Sequence, residues 1–333
     1  MKSSEHHHRG LHAQNTGAFC NRSRAACIDR LRFDRLDINE RIRGQSPPLI
    51  SNAVPKPSST LLERPSAGPK PRAWLDAGSD PGSLIYVAAG SQVRIFPESG
   101  FNPAQIGAIT DHVNSAYGLF VDGDRNLYVA NAETISAYHR GSLDSWIVYP
   151  DRAGPLYVVK DHAGRLYAAN RNGSVTEYPP RQRRPDRTLH TPGVEADGIN
   201  LDDADNLYVA YRDQTGMGSI EKFRPNSRRG RVLGMQIDQP QGLQLDHSGN
   251  ILVVESGKGA VDIFPPGSTS PSQIVEAGLG VTQVVLREAG DDMYVSNWKT
   301  GNVYISHYPP GQFQPKIETD SGMQGIALSN EER

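Results

Sequence analysis

The chain has 333 residues, of which 37% are hydrophobic, with 33 glycines, 24 prolines and a formal net charge of −2. That content supplies one large core, and no stretch approaches the roughly 20 apolar residues of a membrane helix, which excludes a helical membrane protein and favours a soluble one. Residues 1–74 hold 13 Lys and Arg against 6 Asp and Glu, a balance of +7, whereas the remainder has −9. The sequence therefore predicts a basic arm on an acidic body.

Residues 1–74 are expected to form a largely disordered N-terminal arm. The first twenty residues contain no apolar run long enough for a signal peptide. Cys20 and Cys27 are interpreted as ordinary thiols rather than a disulfide. Residues 21–43 allow a short arginine-rich helix, and the Pro- and Ser-rich stretch 46–71 predicts a disordered linker.

From residue 75 to 333 the chain is built from a repeat, most easily seen in an apolar second strand. Six copies follow one another at steps of 39 to 44 residues: Ile85–Ala88, Leu127–Ala130, Leu166–Ala169, Leu207–Ala210, Ile251–Val254 and Met293–Ser296. A short strand ending in Asp and a polar turn precede most copies, because Asp, Gly and Asn suit tight turns. A third strand follows each copy, and then a weaker fourth strand.

Four strands in 40–45 residues predict one blade of a β-propeller. A β-helix is the competing architecture, but its rungs are shorter and its turns more regular. The first copy lacks an opening strand, whereas Gly325–Ser329 has the pattern of an opening strand with no blade after it. The sequence thus predicts an all-β, six-bladed propeller over residues 75–333, closed by the C-terminal strand in the first blade.

The repeats resemble NHL-type propeller units, notably those of bacterial proteins whose blades end in YPPG or FPPGS, here Tyr308–Gly311 and Phe264–Ser268. They lack the Gly-His and Trp-Asp marks of WD repeats. The resemblance covers about residues 83–329. It implies a fold that is used by lyases, by lactonases and by pure interaction modules, so function has to be argued from particular residues.

Loops that join second to third strands, and blade to blade, lie at one end of a propeller, where ligands of such folds usually bind. The repeat register places these candidate funnel residues there: Tyr117, Asp197, Tyr211, Gln241, Glu255, Gln283, Asn297, Trp298 and Gln324. Aromatic faces mixed with amides suit a neutral polar ligand such as a sugar or a peptide. The alternative interpretation is that the aromatic rings pack between loops.

A metal site is the catalytic alternative. Lactonase-type relatives hold a divalent cation such as calcium with carboxylate and amide oxygens, which are hard ligands for a hard ion. The resemblance implies this role for the following residues: Asp197, Glu255, Asn131 and Asn170. Asn and Asp in loops more often cap turns. A lyase-type His base is disfavoured, because the histidines outside the arm fall elsewhere in the repeat register.

Arginines cluster in the linkers between the third and fourth strands of two consecutive blades. The first group is Arg181, Arg183, Arg184 and Arg187, and the second is Arg224, Arg228, Arg229 and Arg231. Such a patch suits phosphate, sulfate or carboxylate groups, unless it is only solvated linker charge. Nucleic acid is not favoured, because the body is acidic and few aromatic residues interleave with the arginines.

Taken together, these features favour a non-catalytic recognition or scaffold module without a cofactor, which binds a protein or a small polar or anionic ligand. The alternative is a metal-dependent hydrolase or lactonase with its ion over the propeller axis.

Overall fold

The computed structural model describes Ala73 and residues 82–287, 289–319 and 322–329. Most of the predicted arm, including Cys20 and Cys27, lies outside the described residues. Ala73 forms an isolated antiparallel bridge with Ser142. Within the part of the chain that the structure describes, no helix has the length and apolarity needed to cross a membrane.

The described residues form six antiparallel sheets, each a blade whose four strands run in order from the axis outwards. Blade 1 contains β25 (Met323–Ser329), β1 (Leu84–Ala89), β2 (Gln92–Pro97) and β3 (Gly107–Ile109). Blade 2 contains β4 (Leu119–Val121), β5 (Leu127–Ala130), β6 (Thr134–Tyr138) and β7 (Ile147–Pro150). Blade 3 contains β8 (Pro155–Lys160), β9 (Leu166–Asn170), β10 (Ser174–Tyr178) and β11 (Arg187–His190).

The remaining three blades follow the same plan. Blade 4 contains β12 (Glu195–Leu201), β13 (Leu207–Arg212), β14 (Met217–Phe223) and β15 (Gly230–Val232), and the short β16 (Ile237–Asp238) also pairs with β14. Blade 5 contains β17 (Pro240–Leu245), β18 (Ile251–Glu255), β19 (Ala260–Phe264) and β20 (Gln273–Glu276). Blade 6 contains β21 (Val281–Leu286), β22 (Asp292–Asn297), β23 (Asn302–His307) and β24 (Gln314–Glu318).

The predicted closure is confirmed. Strand β25 pairs antiparallel with β1, with Ile326 opposite Val87 and Leu328 opposite Ile85. These side chains are buried together with Tyr294 of blade 6. The C-terminal strand therefore completes blade 1 and joins it to the last blade, which removes two unpaired sheet edges.

The core lies between blades rather than inside a single sheet. Successive side chains of a strand point to opposite faces, and in a propeller each face meets a neighbouring blade. In β1, for example, the successive residues Ile85, Tyr86 and Val87 are all buried, so this second strand is buried on both faces. This explains why the second strands carry apolar residues on both alternating sets of positions, which makes them the clearest feature of the repeat.

The antiparallel order places loops at two opposite ends of the propeller. We call upper face the end with the loops between second and third strands and between blades, and lower face the end with the other two sets of turns. On the lower face, Asp202 and Asp246 cap their turns, accepting hydrogen bonds from the backbone N of Asn206 at 2.8 Å and of Asn250 at 2.7 Å. These caps are the local reason why the first strand ends in Asp.

The axis is closed by a plug of two side chains. At the position nearest the axis, two inner strands carry Tyr157 and Gln283, and the other four carry Gly118, Gly198, Gly242 and Gly325. The Tyr157 hydroxyl donates to the carbonyl of Thr282 in the opposite blade at 3.0 Å. The Gln283 amide donates to the carbonyl of Leu119 at 3.1 Å and accepts from the backbone N of Ile326 at 3.1 Å. The upper and lower faces are therefore separated by protein.

Candidate functional site

Eight of the nine predicted funnel residues lie on the upper face, and Gln283 lies deeper. In blade 6, Val284 pairs with Val295, and in blade 2 the corresponding pair is Leu119 and Val129. Gln283, which precedes Val284, is therefore equivalent to Gly118 and not to Tyr117. Gln283 stands where four of the other inner strands have Gly, so the repeat pattern placed it one residue too early in the register. Gln283 is thus part of the axial plug and not of the funnel rim.

The loop amides of the upper face hold the loops together. Asn131 is buried and donates to the carbonyl of His112 at 3.2 Å. Asn170 donates to the hydroxyl of Ser174 at 3.2 Å. Asn297 accepts from the backbone N of Lys299 at 3.0 Å. These contacts favour the turn-capping interpretation of the amides.

The two candidate metal-binding carboxylates are each next to a cation of the protein. Asp197 Oδ2 lies 3.4 Å from Arg212 Nε, and burial together with the neighbouring Glu195 carboxylate raises the pKa of Asp197. Glu255 Oε2 pairs with Lys258 Nζ at 2.8 Å, and its other oxygen accepts from a backbone N at 2.7 Å. Among the described residues, no three His, Cys, Asp or Glu side chains are grouped so that they could hold a metal.

Of the three predicted rim aromatics, only Trp298 is exposed. It has 43% of its surface accessible, and the Lys299 ammonium lies 5.7 Å from its ring centre. Tyr211 is buried, and the half-buried ring of Tyr117 is covered by the guanidinium of Arg171 at 4.5 Å. Gln241 and Gln324 are half-buried.

Sequence reasoning missed three exposed aliphatic side chains on the upper face. Val194, Met217 and Leu279 are 44%, 38% and 56% exposed. The loops of Leu279 and Trp298 are joined at the backbone, since the Trp298 backbone N donates to the carbonyl of Gly280 at 2.9 Å. The sequence does indicate these three residues, because each is an apolar residue at a loop position where the repeat otherwise has a polar residue or Gly.

The predicted arginine patch lies on the lower face, with one correction. Seven of the arginines are exposed and form no ion pair with other described residues: Arg181, Arg183, Arg184, Arg224, Arg228, Arg229 and Arg231. Arg187 instead belongs to β11, is half-buried and places its Nε 2.5 Å from the buried carboxylate of Glu177. Arg187 therefore neutralises a core charge, which makes it unavailable to an external anion.

Comparisons with known proteins show similarity of fold alone. No family profile matches the sequence, and none of the curated proteins matches it. A chain from the crystal structure of a nidogen/laminin complex is 18% identical with a TM-score of 0.64, covering 74% of this chain and 98% of that chain. A protein of unknown function from Bacteroides caccae is 12% identical with a TM-score of 0.59, covering 75% and 100%. The protein is a six-bladed β-propeller, and the NHL type of its repeats stays a prediction.

Proposed function

We propose that this propeller is a non-catalytic recognition module that binds a protein partner through its upper face. The observation that supports it best is the pair Leu279 and Trp298, two large apolar side chains that are exposed on two loops joined by a backbone hydrogen bond. Exposed aromatic and aliphatic groups set among polar ones are typical of the centres of protein contacts.

The loop that carries Trp298 is held in place before any partner arrives. Asn297 accepts from the backbone N of Lys299 at 3.0 Å and of Thr300 at 3.2 Å, and donates to the carbonyl of Leu279 at 3.3 Å. A loop ordered in advance loses little conformational freedom on binding, so more of the contact energy remains as affinity.

One structural neighbour is consistent with recognition. One similar chain comes from a nidogen/laminin complex, an assembly of different proteins. At 18% identity, this similarity supports binding of another protein as the kind of function, but it does not indicate which protein this chain binds.

Two further candidates from the sequence stay as proposals. An anionic ligand on the lower face is favoured by the seven exposed arginines, and changing Arg183, Arg184, Arg228 and Arg229 to Ser should reduce retention on an anionic matrix at low salt without lowering the Tm. A metal-dependent hydrolase requires Asp197 and Glu255 to exchange their protein cations for an ion. A rise in Tm with calcium, reversed by chelator, would favour that alternative.

The upper-face proposal is tested with a random peptide library selected on the immobilised full-length chain. Selected peptides should bind the wild-type protein in calorimetry and lose affinity for the Leu279→Ser/Trp298→Ala variant. The control is Ile274→Ser, which removes an equally exposed apolar group, 56% accessible, from the outer strand β20. Peptides that bind both variants as well as wild type would contradict the proposal.

A further inference from the structure

A cavity of about 700 Å³ opens around the axis on the lower face. Its volume lies within the range of small-molecule sites. The axial plug forms its floor, because both Tyr157 and Gln283 line it, and the six inner strands form its wall. The cavity is therefore closed on one side and reached only through the turns between first and second strands.

The wall of the cavity is apolar on four blades and polar on two. Two residues beyond the plug level, blades 2, 3, 6 and 1 contribute these side chains: Phe120, Val159, Val285 and Ala327. Blades 4 and 5 contribute Asn200 and Gln244, whose side-chain amides are hydrogen-bonded to each other at 3.3 Å. A ligand in this space meets apolar side chains on four blades and amides on the other two.

The mouth of the cavity carries an excess of negative charge. Six aspartates line it: Asp122, Asp124, Asp161, Asp202, Asp203 and Asp205. The two basic groups of the lining are already engaged, since Lys160 pairs with the buried Asp122 and His162 lies 2.8 Å from Asp205. Asp124 and Asp203 are exposed and have no hydrogen bond or ion pair to other described side chains.

We propose that the axial cavity binds a small organic cation, with an ammonium group at the mouth and an apolar stem against the wall. The mouth attracts a positive group and repels an anion, because low-dielectric walls concentrate the field of the aspartates. The stem displaces water from the apolar part of the wall. This site is separate from the upper-face contact, since the plug lies between the two.

Three probes that share a phenethyl group and differ in the charge of the head group test the inference on the full chain: phenethylamine, 2-phenylethanol and 3-phenylpropionate. Calorimetry at low salt should show the amine binding at least about ten-fold more tightly than the alcohol, as for hydrogen bonds to charged groups. The carboxylate should not bind. Equal affinity for the three probes, or no binding of the amine at millimolar concentration, overturns the proposal.

The location is tested with Asp124→Asn/Asp203→Asn, which removes the two uncommitted charges of the mouth. Affinity for the amine should fall by about five-fold, the upper range for exposed charge pairs. The matched control is Glu133→Gln/Glu276→Gln, which makes the same change in net charge at exposed positions away from the cavity. An equal fall in the control would show a general charge effect and overturn the assignment to the cavity.

Discussion

Glu221 is a buried carboxylate whose charge should make the stability of the propeller depend on pH. It lies in β14 with 6% of its surface exposed, and its Oε2 has no hydrogen-bond partner among the described residues. Burial raises the pKa of Glu221 from 4.5 to about 6. Gly230 packs against it so closely that a Cβ there would lie 2.5 Å from Glu221 Cγ. The carboxylate is thus held in the core.

Because the pKa is higher in the folded protein than in the unfolded chain, the folded state binds the proton more tightly. The resulting stability is fully present below pH 4.5 and is lost as pH rises through 6. A difference of about 1.5 pKa units corresponds to about 2 kcal/mol. Glu221→Gln removes the charge and keeps the shape, so it should stabilise the protein by about 2 kcal/mol at pH 8 and by less at pH 5.

Thermal unfolding and urea denaturation at pH 5 and pH 8 measure this difference. The Tm at pH 8 should rise by roughly 4–8 °C, given about 2–4 °C per kcal/mol for a domain of this size. Glu133→Gln, at an exposed loop position, should leave the Tm unchanged at both pH values. The reasoning is refuted if Glu221→Gln has no effect at pH 8, or the same effect at both.

Three further changes test other parts of the structure by the same denaturation measurements. Burial and a neighbouring carboxylate raise the pKa of Asp262, so Asp262→Asn should weaken the loss of stability as pH rises towards 8. Gly242→Ala should destabilise the protein by about 1–3 kcal/mol, because a Cβ there would lie 2.6 Å from the backbone of the next inner strand. The control Gly123→Ala places its Cβ in free space and should be nearly neutral. Arg287→Ala leaves the buried Glu98, 2.8 Å away in blade 1, without its ion pair and should lower the Tm.

The fold was predictable because its information is local and repeated. Blades 2 to 5 contain an Asp-capped turn followed by an apolar second strand, and both features can be read within about ten residues. The closure followed from the same pattern, since an unpaired opening strand at Gly325–Ser329 matched a first blade without one. Six copies of one sequence pattern are compatible with few architectures other than a propeller.

The site was less predictable because its residues act between blades. Nothing near Tyr157 in the sequence indicates that its hydroxyl reaches Thr282 across the axis, 125 residues away. Gln283 replaces the Gly that marks four of the other inner strands, so its register was misplaced by one residue. Arg187 looked like its exposed neighbours, yet the buried Glu177 on the adjacent strand determines its position. Long-range pairing of this kind leaves no mark in the local composition.

The axial plug separates the upper face from the lower face. Four inner-strand glycines let neighbouring strands approach, and Gly325 of blade 1 lies so near blade 2 that a Cβ would be 3.0 Å from Gly118 Cα. Two larger side chains fill the remaining space, and both are hydrogen-bonded across the axis. A ligand in the lower cavity therefore cannot touch a partner on the upper face. Changes at Trp298 and at Asp203 share no contact, so their effects on stability should add, as expected for independent sites.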